Sequence, residues 1–190
     1  YAMIRLFSLL FREPEALVYS LLLVLSIATM VVGMTAGVAQ RDLGGVLAFN
    51  LVGHIGFTTV GLALWSPAAL GASIFYLIHH MLVITTLFLV SGLVLRQRRS
   101  TDFEALGGLY RGHPWVAVMV LVPLFSLAGV PPLSGFLAKL AVVTAALEAR
   151  SFWLTGVALL VGLLTLLSMA RLWQHMAWKA TPPRGDLGPL

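Results

Sequence analysis

The sequence predicts an all-α, polytopic transmembrane helical bundle, and its composition, segment lengths and charge placement predict it together. Of 190 residues, 59% are hydrophobic and 10% are charged, and the mean hydropathy is +0.97. Soluble domains carry about 25% charged residues, so lipid is the main solvent expected for this chain. The net charge is +5. The basic residues lie between apolar runs, which is typical of membrane topology signals rather than of nucleic-acid binding.

Several classes of site are missing from the sequence. Cysteine is absent, which excludes disulfides and thiolate metal sites. We find no nucleotide-binding loop, metal-ligand cluster or nucleophile triad, and we predict no catalytic residue, no metal and no cofactor. No acidic residue lies within a full span, so a carboxylate cage for a cation is not encoded. The chain starts in an apolar stretch at Tyr1, and we expect a fragment rather than a signal peptide.

Four apolar segments are long enough to cross a bilayer, which takes about 20 helical residues. Residues 1–11 resemble the end of a preceding helix, and the polar break at 12–15 contains Pro14 at an expected helix start. Residues 96–113 form a long polar loop, and the tail 181–190 is expected to be loop. The predicted spans are residues 16–39, 43–65, 68–95 and 151–178.

Two shorter apolar segments, residues 114–128 and 133–149, flank Gly129, Pro131 and Pro132. They predict either a hairpin of two short helices or the two halves of one discontinuous helix. The distribution of Lys and Arg favours one discontinuous helix, because seven basic residues then share one membrane side against Arg12 and Arg150. Those seven are Arg41, Arg96, Arg98, Arg99, Arg111, Lys179 and Arg184.

Lys139 is the first candidate for chemistry, because it lies in the middle of the second short segment. A lysine at the centre of a span costs roughly 2.5–3.5 kcal/mol on insertion scales, and such residues commonly mark ion pathways. A buried amine that exchanges protons would suit a relay. The alternative is a lysine that snorkels to the interface.

His79 and His80 lie near the centre of a span without charged residues. An imidazole can both donate and accept a proton, as a relay requires. Neighbouring helix positions point about 100° apart, so we expect one ring to face internal water and the other to bond a neighbouring helix. His54 lies at similar depth between Gly53 and Gly56, where close helix packing competes with a relay role.

Small hydroxyl groups are weaker candidates. Thr85, Thr86 and Ser134 could hold water between the ionisable groups, but hydroxyls also join helices structurally. Gly129, Pro131, Pro132 and Gly135 are predicted to form the helix break.

Two motifs resemble those of antiporter-like membrane subunits. The first runs from Tyr76 through His79 and His80 to Gly92, and the second runs from Ala128 to Lys139. Residues 42–57 and 163–173 add to the similarity. The family contains proton-translocating subunits of respiratory complex I and large subunits of Mrp-type cation/proton antiporters, among which the D-type subunit looks nearest. The chain resembles the C-terminal part of such a subunit. We therefore predict that residues 1–190 are the C-terminal part of one antiporter-like membrane domain.

The resemblance implies a relay that uses His79 or His80 and ends at Lys139, in a bacterial plasma (inner) membrane, with other membrane subunits as partners. The number of spans in the family implies a hairpin at Pro131 and Pro132, and therefore about six full spans in this chain. Two departures stand out: Gly44 and Gly45 replace basic residues, and Ile84 replaces a lysine four residues after His80.

Three functional hypotheses follow. The first is a proton-translocating subunit of a multi-subunit monovalent cation/proton antiporter, with protons, Na⁺ and the lipid bilayer as partners and no nucleic acid. The second is a proton-pumping membrane subunit of a complex I-type NADH-quinone oxidoreductase, so membership of an enzyme complex stays open. The third is a structural subunit with impaired transport, which the departures at Gly44, Gly45 and Ile84 suggest.

Overall fold

The computed structural model describes residues 2, 5–7, 16–98, 100, 102–103, 107 and 114–178. Within these residues the chain is helical apart from short connections and one isolated bridge between Asp42 and Asp102. The predicted polar break at 12–15, most of the loop at 96–113 and the tail at 181–190 lie outside the described residues. Of the predicted end of a preceding helix, residues 5–7 are helical, and Phe7 packs against a cluster around Leu22 and Leu62.

Six helices account for most of the described chain, and their bounds match the predicted segments closely. Four of them are long and apolar enough to cross a membrane, so the predicted all-α transmembrane bundle is confirmed. Asp42 begins the second helix as a helix cap, its carboxylate accepting from the N–H of Gly45 at 2.7 Å. The helices are α1 (Ala16–Ala39), α2 (Leu43–Leu64), α3 (Pro67–Arg98), α4 (Pro114–Ala128), α5 (Ser134–Glu148) and α6 (Phe152–Ala177).

The short helices α4 and α5 follow one another along α6 as halves of one discontinuous span. The buried residues of α4 share a cluster with the C-terminal part of α6, including Met169 and Met176. The buried residues of α5 share a second cluster with its N-terminal part, including Leu154 and Ala158. Each half has 15 residues, about 22 Å at 1.5 Å per residue, so neither crosses the roughly 30 Å core alone. The hairpin expected from the resemblance is therefore wrong, because α4 and α5 together make one crossing.

Helices α1 and α2 lie unusually close together because glycines face each other. A Cβ atom on Gly33 would lie 2.6 Å from the Cα of Gly53. A Cβ atom on Gly56 would overlap Met30 and the carbonyl of Ser26. Van der Waals packing of small residues is a main source of helix association in lipid, so this contact fixes α2 and the His54 that it carries.

One membrane face collects the ends of α1 and α6 and the chain after α3. The N–H of Phe103 donates to the carbonyl of Arg41 at 3.0 Å, and its ring lies 4.8 Å from that of His175. Arg171 donates to the carbonyl of Val38 at 3.1 Å. We call this side the basic face, because arginines lie at the ends of its helices. The turn between α5 and α6 lies on the opposite face.

The excess of Lys and Arg in the sequence next to these helix ends predicts that the basic face is cytoplasmic. The chain has no cysteine, so single cysteines can be introduced without removing any from it. We expect Ala149→Cys to react with a membrane-impermeant maleimide on intact cells, and Ser100→Cys to react only after permeabilisation. Labelling of both positions from the same side would contradict the discontinuous span.

Candidate functional site

The candidate site lies at the break between α4 and α5, where α2 and α3 pack against it. The break is built by a Schellman turn, in which the N–H of Gly129 donates to Ser126 and that of Val130 donates to Phe125, both at 3.1 Å. Gly129 adopts the left-handed conformation that this turn needs, with φ of +86°. The turn leaves the last carbonyl of α4, that of Ala128, pointing into the protein.

Lys139 bonds this carbonyl. Its Nζ donates to the carbonyl oxygen of Ala128 at 2.8 Å, and the side chain is 9% exposed. The C-terminus of a helix carries partial negative charge, so the end of α4 attracts an ammonium group. The lysine points into the break and does not snorkel to the interface. It also lines a cavity of about 300 Å³ between α5 and α6.

Two glycines allow this geometry. A Cβ atom on Gly129 would lie 2.9 Å from the Cδ of Lys139, so any side chain there would displace the lysine. A Cβ atom on Gly135 would overlap the carbonyl of Ser126 and lie 3.0 Å from Nε2 of His79. The predicted break residues Gly129 and Gly135 thus bring the two half-helices, the lysine and one histidine together. Pro131 and Pro132 lie in the connection between them.

His79 joins α3 to the break through hydroxyl groups. Its Nδ1 is 2.9 Å from Oγ of Ser134, and that oxygen is 3.2 Å from Oγ of Ser126. The His79 side chain is 6% exposed. Ser134, the first residue of α5, therefore joins the histidine to that helix, five residues before Lys139.

His80 faces the opposite way, into a stack of rings between α2 and α3. Its ring lies 4.7 Å from that of His54 with planes 26° apart. The other side of the stack is formed by Tyr76 and Phe57, whose rings are 5.0 Å apart. Nδ1 of His54 is hydrogen-bonded to the hydroxyl of Tyr76. The two neighbouring histidines thus have different environments, as the helical spacing predicts.

Three ring nitrogens in this stack have no partner among the described residues: Nε2 of His54 and both nitrogens of His80. These side chains are 1% and 3% exposed. A buried polar atom without a partner costs about 1–3 kcal/mol, and in folded proteins such groups are usually bound by internal water. The stack therefore fits the environment expected for an imidazole that faces internal water.

Thr85 and Thr86 are not brought into this cluster. Both are exposed, and Oγ of Thr86 donates to the carbonyl of Leu82 in its own helix at 2.8 Å. They lie five and six residues beyond His80, about 8–9 Å along the helix axis. The structure thus gives no contact between these threonines and the ionisable groups, whereas it does give one for Ser134.

The two departures from the family pattern have local explanations. A Cβ atom on Gly45 would lie 2.7 Å from Oδ1 of Asp42 and 2.8 Å from Oε1 of Gln40, so the cap and Gln40 occupy the space of a side chain. Ile84 is 7% exposed and belongs to an apolar cluster with Leu87 and Leu124. A lysine at position 84 would therefore enter an apolar environment in this chain.

Tyr76 and Ser126 also belong to the site, and Asn50 is buried one turn before His54 on α2, although none of the three was a predicted site residue. Tyr76 lies three and four residues before the paired histidines, and Asn50 lies four residues before His54. These spacings place side chains on one helix face. This spacing could have indicated Tyr76 and Asn50 from the sequence. Nothing in the sequence indicated Ser126, because its contact depends on the turn at Gly129.

Fold and site together define a class: an integral membrane protein of packed helices with a lysine and three histidines buried at a helix break. Comparisons with known proteins agree. Residues 1–165 match the family described as "NADH:quinone oxidoreductase/Mrp antiporter, TM". The chain belongs to this family, and the resemblance inferred from the motifs is confirmed.

Named relatives come from both branches. The chain is 37% identical over 178 residues to the D-type subunit of the Na(+)/H(+) antiporter of Alkalihalophilus pseudofirmus, covering 94% of this chain and 36% of that protein. It is 35% identical over 161 residues to the N-type subunit of the NADH-quinone oxidoreductase of Nitrosomonas europaea, covering 84% and 34%. A chain of the Mrp complex from Dietzia sp. superposes with a TM-score of 0.79 at 36% identity, covering 90% and 34%.

The chain thus spans about a third of the length of the curated relatives it matches. It is an integral membrane chain, and its bacterial relatives are plasma-membrane proteins. The Mrp structure contains its relative within a complex of several subunits.

The packing at Gly135 predicts the effect of a methyl group. We expect Gly135→Ala to destabilise the protein by about 1–3 kcal/mol, because overpacking forces the two half-helices apart. The measurement is the thermal midpoint of the purified complex in detergent.

Gly156→Ala is the matched control, because among the described residues no atom outside the local helix backbone lies within 4 Å of its Cβ position. Alanine is favoured over glycine in a helix by about 1 kcal/mol, so this variant should be as stable as the parent or slightly more so. Equal midpoints for the two variants would contradict the close contact at the break.

Proposed function

We propose that this chain is part of a proton-translocating subunit of a multi-subunit monovalent cation/proton antiporter, and that protons pass through its buried histidines and Lys139. The observation that carries the proposal is the pair of polar contacts that meet at the helix break. They join the imidazole of His79 to two hydroxyl groups and the ammonium of Lys139 to the end of α4, inside an otherwise apolar bundle.

The order of the groups supports a path across the membrane. Lys139 lies nine residues before Glu148, the last residue of α5, which is about 14 Å from the opposite face. His80 lies eighteen residues before Arg98, the last residue of α3, which is about 27 Å from the basic face. The imidazoles and the lysine therefore occupy the middle of the bundle, where a proton needs acceptors.

Each group suits one step of a relay. An imidazole can take a proton on one nitrogen and release it from the other. His80 has both nitrogens without partners among the described residues, so it can exchange protons with internal water. His79 bonds Ser134, which leads to the start of α5. Lys139, bound to a carbonyl that stays neutral, is the last group before the opposite face.

The proposed partners are other membrane subunits, with protons and Na⁺ as the transported ions. The name of the Alkalihalophilus relative, which is part of an Na(+)/H(+) antiporter, supports this choice. Many large apolar side chains on the described surface are exposed, including Leu82, Leu89 and Met119. Such surfaces are covered by lipid or by neighbouring subunits.

A second candidate is a membrane subunit of a complex I-type NADH-quinone oxidoreductase. Its support is the 35% identity to the relative from Nitrosomonas europaea. The same relay would then be driven by quinone reduction. Purification of the native complex decides between the two, since NADH oxidation coupled to proton movement would select this candidate.

Lys139→Ala in the complete complex should abolish ion-coupled proton transport, because it removes the only lysine on α5. The measurement is proton efflux from acid-loaded everted membrane vesicles after addition of Na⁺. Arg96→Ala is the control, since Arg96 is an exposed cation at the end of α3. Unchanged transport by Lys139→Ala would refute the role of Lys139, and a parent complex without transport would select the structural role.

His80→Phe tests whether the ring nitrogens matter apart from packing. Phenylalanine keeps a ring against His54 but removes both nitrogens, so the stack should survive while proton transfer is lost. We expect transport to fall at least about tenfold, a lower bound because a positioned proton-transfer group typically contributes about 10²–10⁴-fold, with the amount of assembled complex unchanged. Normal flux in this variant would show that His80 serves packing alone.

A further inference from the structure

Asn50 is a buried amide that the relay described above does not use. It lies on α2 and has 0% exposed surface. Its Nδ2 donates to the carbonyl of Val46 at 2.8 Å. Its Oδ1 has no partner among the residues that the structure describes. Because the residue has no exposed surface, neither bulk solvent nor another protein segment reaches this oxygen, so its partner is expected to be enclosed in the protein. Internal water is the usual partner of such a group.

The position of Asn50 places it between the imidazoles and the basic face. It lies four residues before His54, on the same face of α2 and about 6 Å along the axis. It lies eight residues after Asp42, the helix cap on the basic face, which is about 12 Å. Lys139 lies on α5, the helix that leads from the break to the opposite face.

The surroundings of Asn50 are shaped around its amide. A Cβ atom on Gly37 of α1 would lie 3.1 Å from Nδ2 of Asn50, so the glycine leaves room for the side chain. Gln40, three residues further along the chain, donates to the carbonyl of Ala36 at 3.2 Å. Its Oε1 lies over Gly45. Two amides therefore follow one another inward from the basic face, ahead of His54.

We propose that Asn50 is a positioning residue that binds a water molecule between His54 and the basic face, and so opens the relay to that face. Oδ1 can only accept hydrogen bonds, so it holds one hydrogen of the water and leaves the other hydrogen to be donated to Nε2 of His54. When a proton from the basic face joins the oxygen of this water, the hydrogen on the His54 side passes to Nε2, and a neutral water molecule remains. The inference rests on the proposed function, because it assigns one end of the same path.

The test replaces the amide by a side chain of similar size without oxygen. We expect Asn50→Leu in the complete complex to transport protons at least tenfold more slowly than the parent, with normal assembly. Asn50→Ser leaves more empty space but keeps an acceptor, and should stay within threefold of the parent. The solvent isotope effect on flux should rise in Asn50→Leu, since proton delivery becomes rate-limiting. If Asn50 served packing alone, Asn50→Leu would transport protons faster than Asn50→Ser. Flux in Asn50→Leu equal to or above that in Asn50→Ser would therefore overturn the proposal.

Thr165→Val is the matched control. Thr165 also has 0% exposed surface, but its hydroxyl is satisfied within the protein by the carbonyl of Val161 at 2.7 Å. This isosteric change should leave both flux and isotope effect as in the parent. A tenfold lower proton flux in Thr165→Val would overturn the proposal, because it would show that removing any buried polar group has this effect.

Two further comparisons complete the design. If Asn50→Leu does not assemble, Asn50→Ala is compared with Asn50→Ser. A fivefold deficit of alanine supports the proposal, and equal flux overturns it. Lys139→Ala is measured beside them. Loss of transport there with normal transport in Asn50→Leu overturns the role of Asn50 alone, whereas normal transport in Lys139→Ala overturns the proposed function itself.

Discussion

The bond from Lys139 to the carbonyl of Ala128 is the interaction on which the rest of the site depends. A helix that ends inside a bilayer leaves carbonyl oxygens without partners, and each is expensive in hydrocarbon. A lysine at the same depth is expensive as well. The break between α4 and α5 brings these two unfavourable groups together, so that each satisfies the other. The turn at Gly129 and the close packing at Gly135 follow from the need to bring them within bonding distance.

The surrounding helices position acceptors around this pair. The glycine contact between α1 and α2 fixes His54, and the ring stack then determines where His80 lies. His79 points the other way and bonds the start of α5 through Ser134. Two adjacent residues of α3 thus contact different helices, and the site connects α2, α3 and α5 without any acidic side chain.

Much of this architecture was predictable from the sequence, because span length and helix-breaking residues are local signals. The bounds of α1 and α4 were predicted without error and those of the other helices to within three residues. The order of α4 and α5 was harder. Counting basic residues favoured one discontinuous span, and the span number borrowed from the resemblance led to the wrong choice. Partners across helices were not predictable, because lipid and protein core are equally apolar and helix periodicity does not show which face is buried. That is why Thr85 and Thr86 were selected and Tyr76 was not.

The acceptor for Lys139 is a main-chain oxygen, and this limits what genetics can detect. A substitution at position 128 changes the side chain and leaves the carbonyl in place. An alanine scan would therefore identify the donor and miss the acceptor, and the contact would look like a solitary lysine. Replacement of the peptide bond that follows Ala128 by an ester, which weakens its carbonyl as an acceptor, would reveal the other half of the pair.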